Sequence, residues 1–159
     1  MEQVALSQSS VTQKIEIYAG HLNSLMSAKS LKYSSWPQDA KDHLSESAGI
    51  YHFFEREEQS IISLYVGKAG YGDGDWSLYQ RLKQHFQTSQ KNALIGKIAK
   101  SSNQDPKSVK TSLLEREVYL QWLEIARKRK SNTTPDIEQE LVWIECFCKS
   151  ILKPKYTNA

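Results

Sequence analysis

Apolar positions along the chain follow two periods, one helical and one alternating, and the changes between them divide it into elements. Val11, Ile15, Tyr18, Leu22 and Leu25 recur at helical spacing, predicting an amphipathic helix over residues 11–29, with Ser10 and Gln13 at capping-box spacing. That stripe is compatible with packing on a core, with a dimer contact or with an arm that docks on nucleic acid. Residues 30–47, with Trp36-Pro37 and a polar run that includes His43, read as a connector holding one short helical turn. Residues 50–54 and 61–66 are rich in β-branched and aromatic side chains and are separated by the polar turn 55–60, which predicts a hairpin. After Gly67-Lys68 and a glycine-rich loop, Leu78, Leu82 and Phe86 return to helical spacing, predicting a helix over residues 76–86.

The second half continues in the same way. Leu94, Ile95 and Ile98 predict a helix within residues 91–100, and Asp105-Pro106 reads as an N-cap with proline at N1, opening a helix to Glu115. Residues 118–125 alternate and read as a third strand. Thr134-Pro135 opens a last helix to about Leu152, with Asp136 and Glu138 at the positive end of its dipole. Ile137, Leu141, Ile144, Cys148 and Ile151 form its expected core stripe, and the Lys153-Pro154 step ends it. The expected architecture is α+β, an α/β sandwich in which a small three-stranded antiparallel sheet is flanked by helices, with an extra N-terminal helix. Residues 1–47 form that helix and connector, residues 48–159 the main unit, and the whole is one compact domain.

Composition narrows the class. The 159 residues carry a net charge of +3, and the isoelectric point near 8.8 permits an anionic partner. Charge is densest at Arg127, Lys128, Arg129 and Lys130, which read either as a solvated run or as phosphate contacts. The first residues lack a basic start and an apolar segment, and no apolar run approaches the roughly 20 residues that span a bilayer, so a cytoplasmic protein without a membrane partner is expected. Cys146 and Cys148 are two apart on a helix, about 200° around its axis, which argues against a mutual disulfide; they read as small buried groups.

Two side-chain sets have chemical content. Tyr51 and Tyr65 occupy equivalent places on the paired strands and are expected to be cross-strand neighbours. Arg81 and His85 are spaced i and i+4, so guanidinium and imidazole share one helix face, a pairing suited to a phosphodiester. Glu145 lies about 100° from Ile144, at the margin of the last helix's core stripe, from which it can reach a cleft.

The order Gly49-Ile50-Tyr51, Tyr65-Val66-Gly67-Lys68, then Arg81 and His85 on the next helix resembles the GIY-YIG nuclease family. The far end, Glu145 followed by Lys153-Pro154-Lys155-Tyr156 and Asn158, is similar to the family's closing pattern. The resemblance implies a divalent-metal-dependent DNA endonuclease, with Tyr51 as general base and Tyr65 as its partner in roles that can be exchanged. Lys68 would support a reactive tyrosine, Arg81 would stabilise the charge that builds at phosphorus, His85 would orient the tyrosine or the attacking water, and Glu145 would hold a single Mg²⁺ or Mn²⁺. It leaves RNA open as a substrate, a homodimer open as the working form, and a non-catalytic nucleic-acid-binding or assembly module as the alternative. Two places depart from the family: an inserted GYGDGDW after Ala69, and Thr157 where the family carries asparagine, with Asn158 one position later.

Overall fold

The computed structural model describes residues 5–36, 44–70, 77–127 and 135–157. Among them, helix α1 (Gln8–Ser27) leads through the two-residue strand β1 (Leu31–Lys32) and a 3₁₀ turn at Tyr33–Ser35 into strands β2 (Ser47–Glu57) and β3 (Ser60–Ala69). Helices α2 (Leu78–Gln84), α3 (Leu94–Ser102) and α4 (Pro106–Glu115) follow, then strand β4 (Val118–Arg127) and helix α5 (Pro135–Leu152). The strands form one antiparallel sheet in the order β1-β4-β2-β3. The expected three strands are therefore four. β1 escapes sequence pattern because two residues carry no period, and its identity rests on the distant pairing Leu31↔Leu120.

Helices cover both faces of the sheet, which makes the α/β sandwich. On one face Tyr51, Phe53, Tyr65 and Leu120 pack with residues of α2, α3 and α4, including Leu78, Leu82, Ile95 and Val109. On the other face Ala48, Ile50 and Val66 pack with Leu25 of α1 and with Leu141, Ile144 and Cys148 of α5. The alternation of β2 drives this division, since successive side chains point to opposite faces. A bulge at Ala48/Gly49 in the β2–β4 pairing brings Gly49 so close to the Leu123 carbonyl that any Cβ there would collide with backbone.

Local signals set the ends of several elements. The Asp105 carboxylate accepts from the Lys107 amide and Pro106 opens α4, which runs to Glu115 as the sequence predicts. The hairpin strands extend beyond their predicted ends, and the turn tightens to Glu58-Gln59. Helix α1 begins earlier than predicted because the Ser7 hydroxyl, not Ser10, caps it by accepting from the Ser10 amide. Its apolar stripe is only partly used: Leu25 is buried and Tyr18 and Leu22 are half-buried, while Val11 and Ile15 are exposed. Only the C-terminal half of α1 thus belongs to the core.

The stripe of α5 is corrected similarly, since Ile151 is 57% exposed and Cys146, expected to be buried, lies at the surface with Cys148 inside. Lys153 takes a left-handed backbone conformation, φ 47°, which ends α5. The chain then runs beside the free side of β3, where the Lys155 and Tyr156 amides each donate to carbonyls of Ser63 and Leu64 at 2.9 Å. That pairing covers part of an edge strand otherwise open to another chain. Among the described residues no helix is long and apolar enough to cross a membrane.

Candidate functional site

The site begins with a missing side chain. Tyr51 of β2 stands opposite Gly67 of β3, and a Cβ at Gly67 would strike the Tyr51 hydroxyl and ring. Glycine there lets the phenol lie flat across its neighbouring strand. Tyr65 pairs with Phe53 rather than with Tyr51, so the two tyrosines are diagonal neighbours on one face and not directly opposite as expected. Their rings stack with centroids 6.1 Å apart.

Helix α2, capped by the Ser77 hydroxyl, brings His85 down onto this pair. His85 Nε2 lies 2.9 Å from the Tyr51 hydroxyl, and its Nδ1 accepts the Leu94 amide at 2.9 Å. Because Nδ1 is an acceptor, the neutral ring carries its proton on Nε2 and donates to the Tyr51 oxygen. His85 is 3% exposed, and burial, together with the charges of Arg81 and Lys97, lowers its pKa to about 3. It is a fixed hydrogen-bond donor at neutral pH rather than a proton acceptor. The Tyr33 hydroxyl donates to the His85 carbonyl at 2.6 Å, and the Tyr33 ring stacks on Phe86 at 4.2 Å. The segment expected to be a plain connector therefore clamps the end of α2.

Tyr51 itself is held well above the usual phenol range. Burial is the main cause, the Tyr65 hydroxyl and the Glu145 charge push in the same direction, and Arg81 opposes them. Glu145 reaches this electrostatic neighbourhood from α5, although that helix packs on the other face of the sheet. Its Oε1 pairs with Lys149 Nζ at 2.8 Å, and the two side chains are 15% and 20% exposed.

Tyr51, Tyr65, Arg81 and His85 together line a small cavity of about 60 Å³, closed by Gln84, Gln90, Asn92 and Ala93. That volume holds one or two waters or the oxygens of one phosphoryl group. Sequence pattern does not single out Gln84, Gln90 or Asn92. Gln84 is three residues from Arg81 on the same helix, so spacing alone could have found it. Gln90 and Asn92 carry no such signal, because the loop that holds them is set by Gly96, whose missing side chain admits the Gln90 and Lys91 carbonyls.

Comparison with known proteins yields no relative. No family model, curated protein or solved structure matches this chain. The site therefore stands on its own geometry.

Lys68 is not brought to the cavity. It pairs with Ile50, on the face that packs against α5, and lines a separate recess of about 310 Å³ with Glu138, Gln139, Leu141 and Val142. Arg127 pairs with Glu124 at 3.1 Å at the end of β4. Lys128, Arg129, Lys130 and Asn158 lie outside the described residues, as do His43, Thr134 and most of the inserted loop.

A second buried polar chain sits on the opposite face. The Gln121 amide donates to His52 Nδ1 at 3.2 Å, and His52 Nε2 then donates to the Ser63 hydroxyl at 2.8 Å. Burial lowers the His52 pKa to about 4.

Proposed function

We propose that this protein is a phosphodiester hydrolase of the GIY-YIG type, an endonuclease that cuts DNA with a divalent metal ion. The observation that carries the reading is the His85–Tyr51 hydrogen bond inside a cavity that also holds Tyr65 and the Arg81 guanidinium. Guanidinium and phenol against a space the size of a phosphoryl group suit an in-line displacement at phosphorus. Water attacks the phosphorus, its proton passes to the tyrosine oxygen, the bond from phosphorus to the 3′ oxygen breaks, and that oxygen takes a proton from solvent water, leaving a 3′-hydroxyl and a 5′-phosphate. Tyr51 needs its anionic form for this step. His85 favours that form by donating to the oxygen, and Arg81 favours it by charge, against burial and Glu145.

Glu145 suits the metal. A single carboxylate is the donor set of a Mg²⁺ ion that keeps waters and takes phosphate oxygens, and only Oε1 of Glu145 is engaged among the described residues. When bound, Mg²⁺ or Mn²⁺ supplies positive charge against the leaving oxygen. Neutralising Glu145 also removes one of the influences that hold Tyr51 protonated.

The Lys149–Glu145 ion pair favours one other reading, a nucleic-acid-binding or assembly module in which the carboxylate is occupied by lysine. Incubation of defined DNA and matched RNA duplexes with Mg²⁺, followed by mapping of the ends, tests both. Cuts in DNA with 5′-phosphate ends support the hydrolase; tight, salt-sensitive binding without cuts supports the module. A cytoplasmic location and a homodimer that cuts both strands complete the proposal.

A further inference from the structure

Few side chains in the wall of the Tyr51 cavity have a donor to give a ligand. His85 has none, since its Nε2 proton goes to the Tyr51 oxygen and its Nδ1 accepts the Leu94 amide. Tyr51 and Tyr65 hydrogen-bond with each other, and Ala93 brings no polar group on its side chain. Among the described residues of that wall there remain Arg81 and Gln84 of α2, and Gln90 and Asn92 of the loop that follows. The proposed reaction uses Arg81 and gives the three carboxamides no part.

The loop is held so that it presents its pair to the cavity. Gly96, in the first turn of α3, lacks the Cβ that would strike the Gln90 and Lys91 carbonyls, so the chain folds back against the helix there. The Ala93 amide donates to the Gln90 carbonyl at 3.3 Å, and the Lys97 amide donates to the Ala93 carbonyl at 3.0 Å. The Leu94 amide ties the end of the loop to the His85 ring. Gln90 is thereby half-buried and Asn92 exposed, both at the edge of a space the size of a phosphoryl group. Neither carboxamide is hydrogen-bonded to another side chain among the described residues.

A phosphodiester presents two non-bridging oxygens that diverge from phosphorus, and donors aimed at both are needed as the group passes through its crowded transition state. Arg81 approaches from α2, and the loop supplies the other side. We propose that Gln90 and Asn92 donate their amide N–H groups to one non-bridging oxygen of the scissile phosphate while Arg81 holds the other. The proposal rests on the phosphodiesterase reading of the cavity.

The test uses DNA duplexes carrying one phosphorothioate of defined configuration at a mapped cut position, beside the all-oxygen duplex, in Mg²⁺. Sulfur accepts hydrogen bonds poorly, so sulfur at the contacted oxygen slows the parent and slows a protein without the donor less. Single-turnover rates are measured for the parent, a Gln90→Ala/Asn92→Ala double variant and Gln87→Ala, a carboxamide of the same loop that does not line the cavity. The double variant is expected to cut the all-oxygen duplex about 10²-fold more slowly, with an oxygen-to-sulfur rate ratio about threefold or more below the parent's for one configuration and unchanged for the other. Gln87→Ala should keep the parent's rates and ratios. Because each ratio is taken within one preparation, a loss of folded protein does not alter it. A double variant that cuts within threefold of the parent, one that is slower with both ratios unchanged, or the same change of ratio in Gln87→Ala would overturn the role of the two carboxamides alone. A parent that cuts no duplex overturns the phosphodiesterase reading with it.

Discussion

His85 donates a hydrogen bond from Nε2 to the Tyr51 oxygen, and it does so because the Leu94 amide occupies its other nitrogen. One imidazole thus joins the end of α2, the start of α3 and the central strand. Replacing it removes both bonds. His85→Ala should lower kcat by about 10²-fold or more with a smaller change in KM, and should destabilise the fold by roughly 1–3 kcal/mol through the orphaned Leu94 amide. Single-turnover cleavage and urea denaturation check the two effects separately.

Gly67 is the partner that makes this geometry possible. Gly67→Ala puts a methyl group where the Tyr51 ring lies, so the ring must leave its place over β3. The expected cost is about 1–3 kcal/mol of stability, with a loss of cleavage larger than the fraction unfolded explains. Gly49→Ala should be worse for folding, since its new Cβ meets the Leu123 carbonyl and backbone cannot rotate aside. Thermal melts of the two variants test the order.

Lys68 separates sequence pattern from structure. Its place after the second motif marks it for the active site, yet the pairing with Ile50 turns it toward α5. Lys68→Ala is therefore expected to change the cleavage rate less than threefold, against at least a hundredfold for Arg81→Ala. Equal losses in the two variants would show that the lysine reaches the cavity from the wrong face.

The two buried histidines give the fold an acid limit. His52 and His85 have folded pKa values near 4 and 3, below the ordinary value of about 6.5. The unfolded chain therefore binds more protons between these limits, and stability is full above about pH 6.5 and falls as pH drops toward 4. The loss from each histidine is on the order of 3 kcal/mol across that window. Urea midpoints between pH 7.5 and 4.5 should fall accordingly, and His52→Gln should flatten part of the slope.

Elements with local causes were legible in the sequence. Asp105 and Pro106 start α4 by their own chemistry, and the hairpin follows from alternation with a polar turn. What escaped depends on distant partners. β1 exists through Leu120, the Tyr33 clamp through His85, and the use of half of α1 through its packing with Ile50, Leu141 and Ile144. For the candidate site, the spacing of Arg81 and His85 put them on one face, and the tyrosine pair was placed on one face but one register step off. The tautomer of His85 could not be read, because it is decided by an amide nine residues away in a different helix.

Cleavage of DNA by the cavity around Tyr51 with the Glu145 carboxylate can be measured directly. Its most direct measurement is the initial rate at which purified protein converts supercoiled plasmid to nicked and linear forms in Mg²⁺, beside Arg81→Ala and Glu145→Ala prepared identically. The parent is expected to convert the plasmid, with conversion abolished by EDTA and reduced at least a hundredfold in both variants. Equal rates in all three proteins, or no conversion by the parent in either Mg²⁺ or Mn²⁺, would contradict it.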